Sequence, residues 1–300
     1  MTTSTCTAFE DVRVRAAQFC RAREWEKFHS PNNLLLALLG EVGEFAECWQ
    51  WLGDCDGEGC TMEKLHLQLI PAAVVHVGEE ASDVLIYAVR LSDLMGLDLA
   101  AAVSTACSAS ASASASEAEA AAMPPQSQSQ SQSQSQSQSQ SQSQSQQWAE
   151  FSFADAHKHC HSQHASPRQC ARELAVASGK LAGLFAGRAE AESAQPASQW
   201  QRADLELAGR LLAGIALAVI GGAGRLGLDV AACAADKFAK NDAKYPADRA
   251  KGSSAKYTFY QQRARGGGGS WTALYTVAAA AALVAAAAAG FKLAGGAKER

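Results

Sequence analysis

Glu41 and Glu44 stand three residues apart, with Glu47 three further on, and Glu80 and Asp83 form a second acidic pair at the same spacing. Carboxylates three or four apart share one face of a helix. Each set borders a strongly apolar run, LLLALL before the first and VLIYAV after the second, so both would sit at the edge of a core. Neighbouring helices would bring Glu41, Glu44, Glu80 and Asp83 into one patch, and such like charges raise one another's pKa unless cations neutralise them. Oxygen-only ligand sets without a partnered histidine suit hard cations, Mg²⁺ or Mn²⁺, completed by waters and substrate phosphates. A di-iron bundle would require Glu-x-x-His, which the two acidic stretches lack. The plainer reading of any one such pair, an ordinary solvated helix face, stands beside this one.

The elements that must position these acids read as helices. Apolar residues recur at helical spacing, and the only stretch resembling a strand, Leu69 to Val77, is interrupted by Pro71. The expected fold class is all-α. One helix is expected from Phe9 to Phe28 with Phe9, Val12, Ala16, Phe19 and Ala22 inward. A second should start at Ser30-Pro31, a cap followed by proline at the first helical position, and run to Gly53 before a loop over Asp54 to Gly59. A third is expected from Glu79 to Met95, stopped by Gly96.

Composition divides the rest. Residues 108–147 hold an Ala/Ser tract and alternating Ser-Gln, a disordered linker. Helical composition returns over 148–260, a Gly-rich hinge occupies 261–270, and an apolar Ala-rich helix is expected in 271–300. Its uncharged stretch from Trp271 to Phe291 has the length of a bilayer span and reads equally as a tail anchor or as a packed alanine helix.

The 300 residues carry 26 basic and 30 acidic side chains, a net charge of −4 with no basic cluster, which argues against nucleic-acid binding. Nine cysteines with no CxxC pair fit reduced thiols in the cytoplasm, and the N-terminus lacks the basic-then-apolar order of a secretory signal. His157, His159, Cys160, His161 and His164 could hold zinc or copper, but ligands crowded into one short run favour a polar helix start.

The string WEKFHSPNNLLLALLGEVGEFAECWQW (Trp25 to Trp51), followed by EEASDVLIYAVRL (Glu79 to Leu91), resembles the MazG-type all-α nucleoside triphosphate pyrophosphohydrolases, four-helix-bundle enzymes. Within that superfamily it is most similar to the dCTP pyrophosphatases. KFAKNDAKYPADRAKGSSAKYT (Lys237 to Thr258) resembles the KxxxNxxKYP segment of the same family. The resemblance covers residues 9–100 and 226–260, which makes 9–107 the expected catalytic half and 148–260 a second half that ends in the lysine segment. It implies hydrolysis of dCTP, or a modified dCTP, to dCMP and pyrophosphate, with Mg²⁺ (or Mn²⁺) held by Glu41, Glu44, Glu80 and Asp83. It also implies a substrate pocket of Trp25, His29, Trp51 and Tyr87, with Lys237, Lys240, Asn241, Lys244 and Tyr245 on the phosphates and sugar. Alternatives remain: a dUTP or broad NTP pyrophosphatase, or a catalytically silent, membrane-tethered helical interaction protein.

The family pattern is interrupted. Gly96-Leu97-Asp98 leads into the Ser/Gln tract, and only after Gly227-Leu228-Asp229 does the lysine helix follow. Working back, Ser166-Pro167 echoes Ser30-Pro31, and Ala177, Lys180, Leu211 and Gly214 stand where Glu41, Glu44, Glu80 and Asp83 would. One reading is a tandem pseudo-dimer whose second half has lost its metal ligands; the other is an insertion or a gene-prediction artefact over 101–225. A homo-oligomer remains open beside the internal pairing.

Overall fold

A computed structural model describes residues 8–52, 61–109, 151–162 and 166–253. The chain divides into two compact units, Met1–Ser253 and Ser254–Arg300, and every described residue belongs to the first. The loop over 54–59, nearly all of the Ser/Gln linker, the Gly-rich hinge and the apolar run of 271–291 lie outside the described residues.

Among the described residues the structure is helical, with a single isolated bridge between Ala8 and Ser152. The helices are α1 (Phe9–Ala22), α2 (Pro31–Glu47), α3 (Met62–Gln68), α4 (Pro71–Leu94), α5 (Leu99–Ala109), α6 (Phe153–Ser162), α7 (Pro167–Phe185), α8 (Glu190–Ser193), α9 (Pro196–Gln199), α10 (Arg202–Gly224), α11 (Val230–Lys244) and α12 (Ala247–Ala250). The four long helices close a ring: α2 on α4, α4 on α10, α10 on α7, and α7 on α2. Outside it, α1 and α11 pack on α4, and α6 packs on α10. The core is aliphatic along α4 and α10, with Phe45 and Trp49 edge-on at 5.7 Å and Phe9 against Phe153 at 4.4 Å. Gly222 lets the Phe45 ring in, since a Cβ there would lie 3.0 Å from it. Arg202–Gly224 is long and apolar enough to cross a membrane, but its apolar side chains form the centre of the bundle.

Local boundaries depart from the sequence expectation in three places. The first helix ends at Ala22, not Phe28. Glu24 takes a left-handed φ of 53°, and Trp25 N–H reaches back to the Cys20 carbonyl while Glu24 N–H reaches Arg21. This pairing is the Schellman stop, and Glu26–Phe28 follow as a single 3₁₀ turn. The inward face accordingly swings to Cys20 and Arg23, leaving Ala22 exposed. The second helix ends at Glu47, with Trp49 and Leu52 buried in the turns that follow. The third begins eight residues early, at Pro71, whose missing N–H and fixed φ suit the first helical position. The apolar LIPAAVVHV is therefore two extra turns of α4, not a strand.

The same devices recur in both halves. Ser30 Oγ accepts from Asn33 N–H at 3.2 Å to start α2, and Ser166 Oγ accepts from Gln169 N–H at 3.1 Å to start α7. Gly96 (φ 69°) closes α4 and Gly227 (φ 71°) closes α10, each through the same pair of backbone bonds. Asp98 and Asp229 then cap the next helix through backbone N–H bonds at 2.9 Å.

Candidate active site

In the last two turns of α2, Gly40 to Glu47, Val42 and Phe45 face the core while Glu41 and Glu44 turn towards Glu80 of α4. On α4, Glu80 falls on the buried side and Asp83 one turn along. One carboxylate oxygen each from Glu41, Glu44 and Glu80 lie within 4.8 Å of one another. Glu80 is only 5% exposed, and its Oε2 is buried with no hydrogen-bond partner. His76 Nδ1 stands 3.3 Å from the other oxygen. Asp83 is met by the ammonium of Lys237 from α11.

This crowding shows in the titration. Burial first, then the charges of Asp83, Glu44 and Glu80, push Glu41 up to about 7. Burial also raises Glu80 and Asp83, against the pull of Lys237. Burial works to lower Lys237 itself, but Asp83 and Glu80 hold it above the usual lysine value. An acidic cluster with an orphaned buried oxygen is costly alone and is relieved by a divalent cation, so the donor set fits a hard metal.

Beside the acids lies a cavity of about 160 Å³. Trp25, His29, Glu41, Asp83, Tyr87, Asn241, Lys244 and Tyr245 all line it, drawn from α2, α4, α11 and the segment after α1. The Trp25 indole N–H donates to the carbonyls of Ala250 and Ser253, at 3.1 and 2.8 Å, which fixes the ring edge-on to Tyr245 at 5.2 Å. Cys20 Sγ lies 3.5 Å from His29 Nδ1. Burial and the nearby Arg90 lower His29 to about 4, so the imidazole is neutral, while burial keeps the Cys20 thiol protonated by raising it to about 11. Burial, with Glu41 and Asp83 adding to it, raises the Tyr87 phenol well above the usual tyrosine value.

Three expected substrate residues do not line this cavity, and the first of them, Lys237, is engaged with Asp83. Trp51 is 87% exposed and stands away from it. The turns after Glu47 bury Trp49 instead, so the tryptophan one step before the expected one faces the core. Lys240 pairs with Glu79 on the outer side of α4 and α11. Of the histidine-rich run, the described residues gather no set of three ligand atoms; His164 lies outside them.

Three residues at the site went unread in the sequence. Arg90 and Cys20 line the cavity. Arg23, 3% exposed, donates to the Tyr245 carbonyl at 2.7 Å, to Asp242 at 2.8 Å and to the Phe19 carbonyl at 3.1 Å, clamping the end of α11 against the end of α1. Arg90 had a signal available: a lone cation seven residues beyond Asp83 in an otherwise apolar run.

Against known proteins, the chain is 45% identical over 94 residues to dCTP pyrophosphatase 1 of Rattus norvegicus and 46% identical over 97 residues to that of Homo sapiens. The protein of that name from Bos taurus is 45% identical over 94 residues. Each alignment takes in 31% of this chain for the rat and human proteins, and the chain spans about half the length of the curated relatives it matches. No family model matches, and no solved structure does.

Proposed function

We propose that this chain is a Mg²⁺-dependent nucleoside triphosphate pyrophosphatase that hydrolyses dCTP, or a modified dCTP, to dCMP and pyrophosphate in the cytoplasm, clearing the nucleotide pool. The observation that carries this is the buried, unpartnered Glu80 Oε2 in a three-carboxylate cluster that opens on an aromatic-lined cavity. Similarity to dCTP pyrophosphatase 1 over 94 residues supports the substrate class.

Glu41, Glu44, Glu80 and Asp83 would hold the metal, which when bound supplies charge neutralisation at the triphosphate and an acidified water. Trp25 offers a fixed stacking face, because both acceptors of its indole N–H are backbone carbonyls outside the cavity. Lys244 and Asn241 line the cavity from α11 and would meet phosphate and sugar oxygens. Glu41, which reaches both the acid cluster and the cavity, would take the proton of the attacking water at its carboxylate. One water is consumed, the bond between the α-phosphorus and the bridging oxygen breaks, and pyrophosphate leaves. A cavity of about 160 Å³ is small beside the roughly 300–1,000 Å³ of a drug-sized site, which suits a single-ring base with the triphosphate lying out over the acids.

The tandem reading of the two halves is part of this proposal. Ala177, Lys180, Leu211 and Gly214, the counterparts of the four acids, line one cavity of about 510 Å³ between α7 and α10. A Cβ on Gly214 would stand 4.0 Å from that of Ala177. The second half thus keeps the cleft without the carboxylates, and contributes α11 to the first half's site. Membrane tethering through 271–291 remains a separate proposal.

Pyrophosphate release from each dNTP, with Mg²⁺ and with EDTA, tests the assignment. Strong, metal-dependent turnover of dCTP that Glu41→Ala or Asp83→Ala abolishes is the expected result. Equal background in the wild type and both variants would remove the enzymatic reading.

A further inference from the structure

Four side chains on α4 follow one another at steps of three, four and three: Glu80, Asp83, Tyr87 and Arg90. That spacing keeps them on one face. Asp83 to Arg90 covers about 10 Å along the axis at the rise of an α-helix. The acids and the guanidinium therefore stand at opposite ends of the cavity, separated by the reach of a nucleoside from its α-phosphate to the far edge of its base.

Arg90 is 7% exposed, and its Nη1 donates to Asp93 Oδ2 at 2.5 Å. Its Nε–H is buried with no acceptor, although the side chain lines the cavity. A buried charged donor left unmet is an expensive arrangement, and it is resolved by an acceptor arriving with a ligand. Asp93 does not need Arg90 to remain paired, since Arg13 also donates to it at 3.2 Å. The other polar group at this end is His29. In the tautomer whose Nδ1 accepts from the protonated Cys20 thiol, the neutral ring carries its proton on Nε2 as a second donor. This end of the cavity thus offers donors from two residues.

We propose that Arg90 selects the base, its Nε–H together with His29 Nε2–H meeting the adjacent O2 and N3 acceptors of a cytosine ring and rejecting uracil and thymine. The inference rests on the nucleotide pyrophosphatase reading above and adds a residue that sets its specificity. Cytosine presents two neighbouring acceptors there, whereas uracil and thymine carry a hydrogen on N3. A donor facing that N–H makes no bond and stays buried and unmet, and sites of this kind discriminate strongly.

The test uses the full-length protein as wild type, Arg90→Met and Arg90→Lys. Arg90→Met keeps the length and removes every donor. Arg90→Lys keeps a cation beside Asp93 but has no Nε–H, so a purely structural role for the charge would be rescued by it. Two readouts are taken: kcat/KM for dCTP, dUTP and dTTP with Mg²⁺, and equilibrium binding of dCMP against dUMP in EDTA. In wild type, dCTP and dCMP are favoured. Both variants are expected to lower the dCTP:dUTP ratio about tenfold or more, mainly through KM, and to level dCMP and dUMP binding. A ratio unchanged in variants that still melt cooperatively overturns the assignment of Arg90 while leaving the enzyme reading intact. Recovery of the ratio by Arg90→Lys also overturns it. A wild type that turns over dNTPs without preferring dCTP does the same. A wild type that releases pyrophosphate from no dNTP ends both readings at once. Should Arg90→Met fail to fold, the Arg90→Lys ratio and the monophosphate binding decide.

Discussion

Replacing Glu41 by glutamine probes the acidic cluster without touching the nucleotide. Burial and three neighbouring carboxylates hold Glu41 at about 7, against an ordinary value of 4.5. The folded protein therefore binds this proton more tightly than the unfolded chain does. Its stabilising contribution is complete below pH 4.5 and is gone once the pH has risen past about 7. At about 1.4 kcal/mol per pKa unit the full swing is about 3 kcal/mol. Glu41 is partly open to solvent, and screening cuts this to about 1.5 kcal/mol. For a unit of this size that corresponds to roughly 3–6 °C in Tm.

The assay is a set of thermal melts of wild type and Glu41→Gln in EDTA between pH 4.5 and 8. The variant carries no titrating group at this position, so the difference between the two curves isolates Glu41. Wild type should fall relative to Glu41→Gln by that amount across the window. Mg²⁺ at pH 8 should lift wild type by about 2.7 kcal/mol at a hundredfold excess over its Kd, and lift the variant less. A Tm difference that stays constant with pH would mean that the carboxylates do not repel one another. The reasoning from cluster to metal would then fail at its first step.

Lys237→Met removes the internal cation beside Asp83. Breaking one side of a fully buried pair costs about 3–5 kcal/mol, and partial exposure reduces this to about 2 kcal/mol here. In melts, Mg²⁺ should recover more stability in this variant than in wild type, because it takes over a charge the lysine had supplied. Arg23→Met strands the Tyr245 carbonyl and Asp242 and frees the end of α11. A loss of about 2 kcal/mol in urea unfolding and a rise in KM larger than the fall in kcat are expected. An unchanged KM would show that the clamp holds nothing at the cavity.

What could be read from the chain was local and periodic. Ser30-Pro31 announced α2 because the cap and the first-turn proline are both sequence-local devices, and the structure uses each of them. Pro71 carried the same signal but was preceded by an apolar residue instead of a hydroxyl cap, so the start of α4 was missed and two turns were read as a broken strand. The acids were legible for the same reason as the helices: a spacing of three fixes a shared face without any tertiary knowledge. Trp51 and Trp49 could not be told apart this way. Once α2 ends at Glu47 the helical period no longer applies, and which indole turns inward depends on the turn geometry. Arg23 and Arg90 went unread for a different reason. Their roles are set by partners 222 residues away in one case, and by a buried donor without a partner in the other. The partners of Arg23 leave no pattern in a linear string, and Arg90 leaves only a lone cation in an apolar run. The interrupted repeat lies between these extremes. Gly-Leu-Asp recurs as text at 96 and 227, and the structure gives both copies the same left-handed glycine and the same aspartate cap. On the proposed tandem reading, the spelling is preserved together with its backbone geometry while Ala177, Lys180, Leu211 and Gly214 stand at the positions of the four acids, as expected when packing is retained and chemistry released. On that reading the second half serves through its surface and through α11, whose Asn241, Lys244 and Tyr245 line the cavity beside the first half's acids.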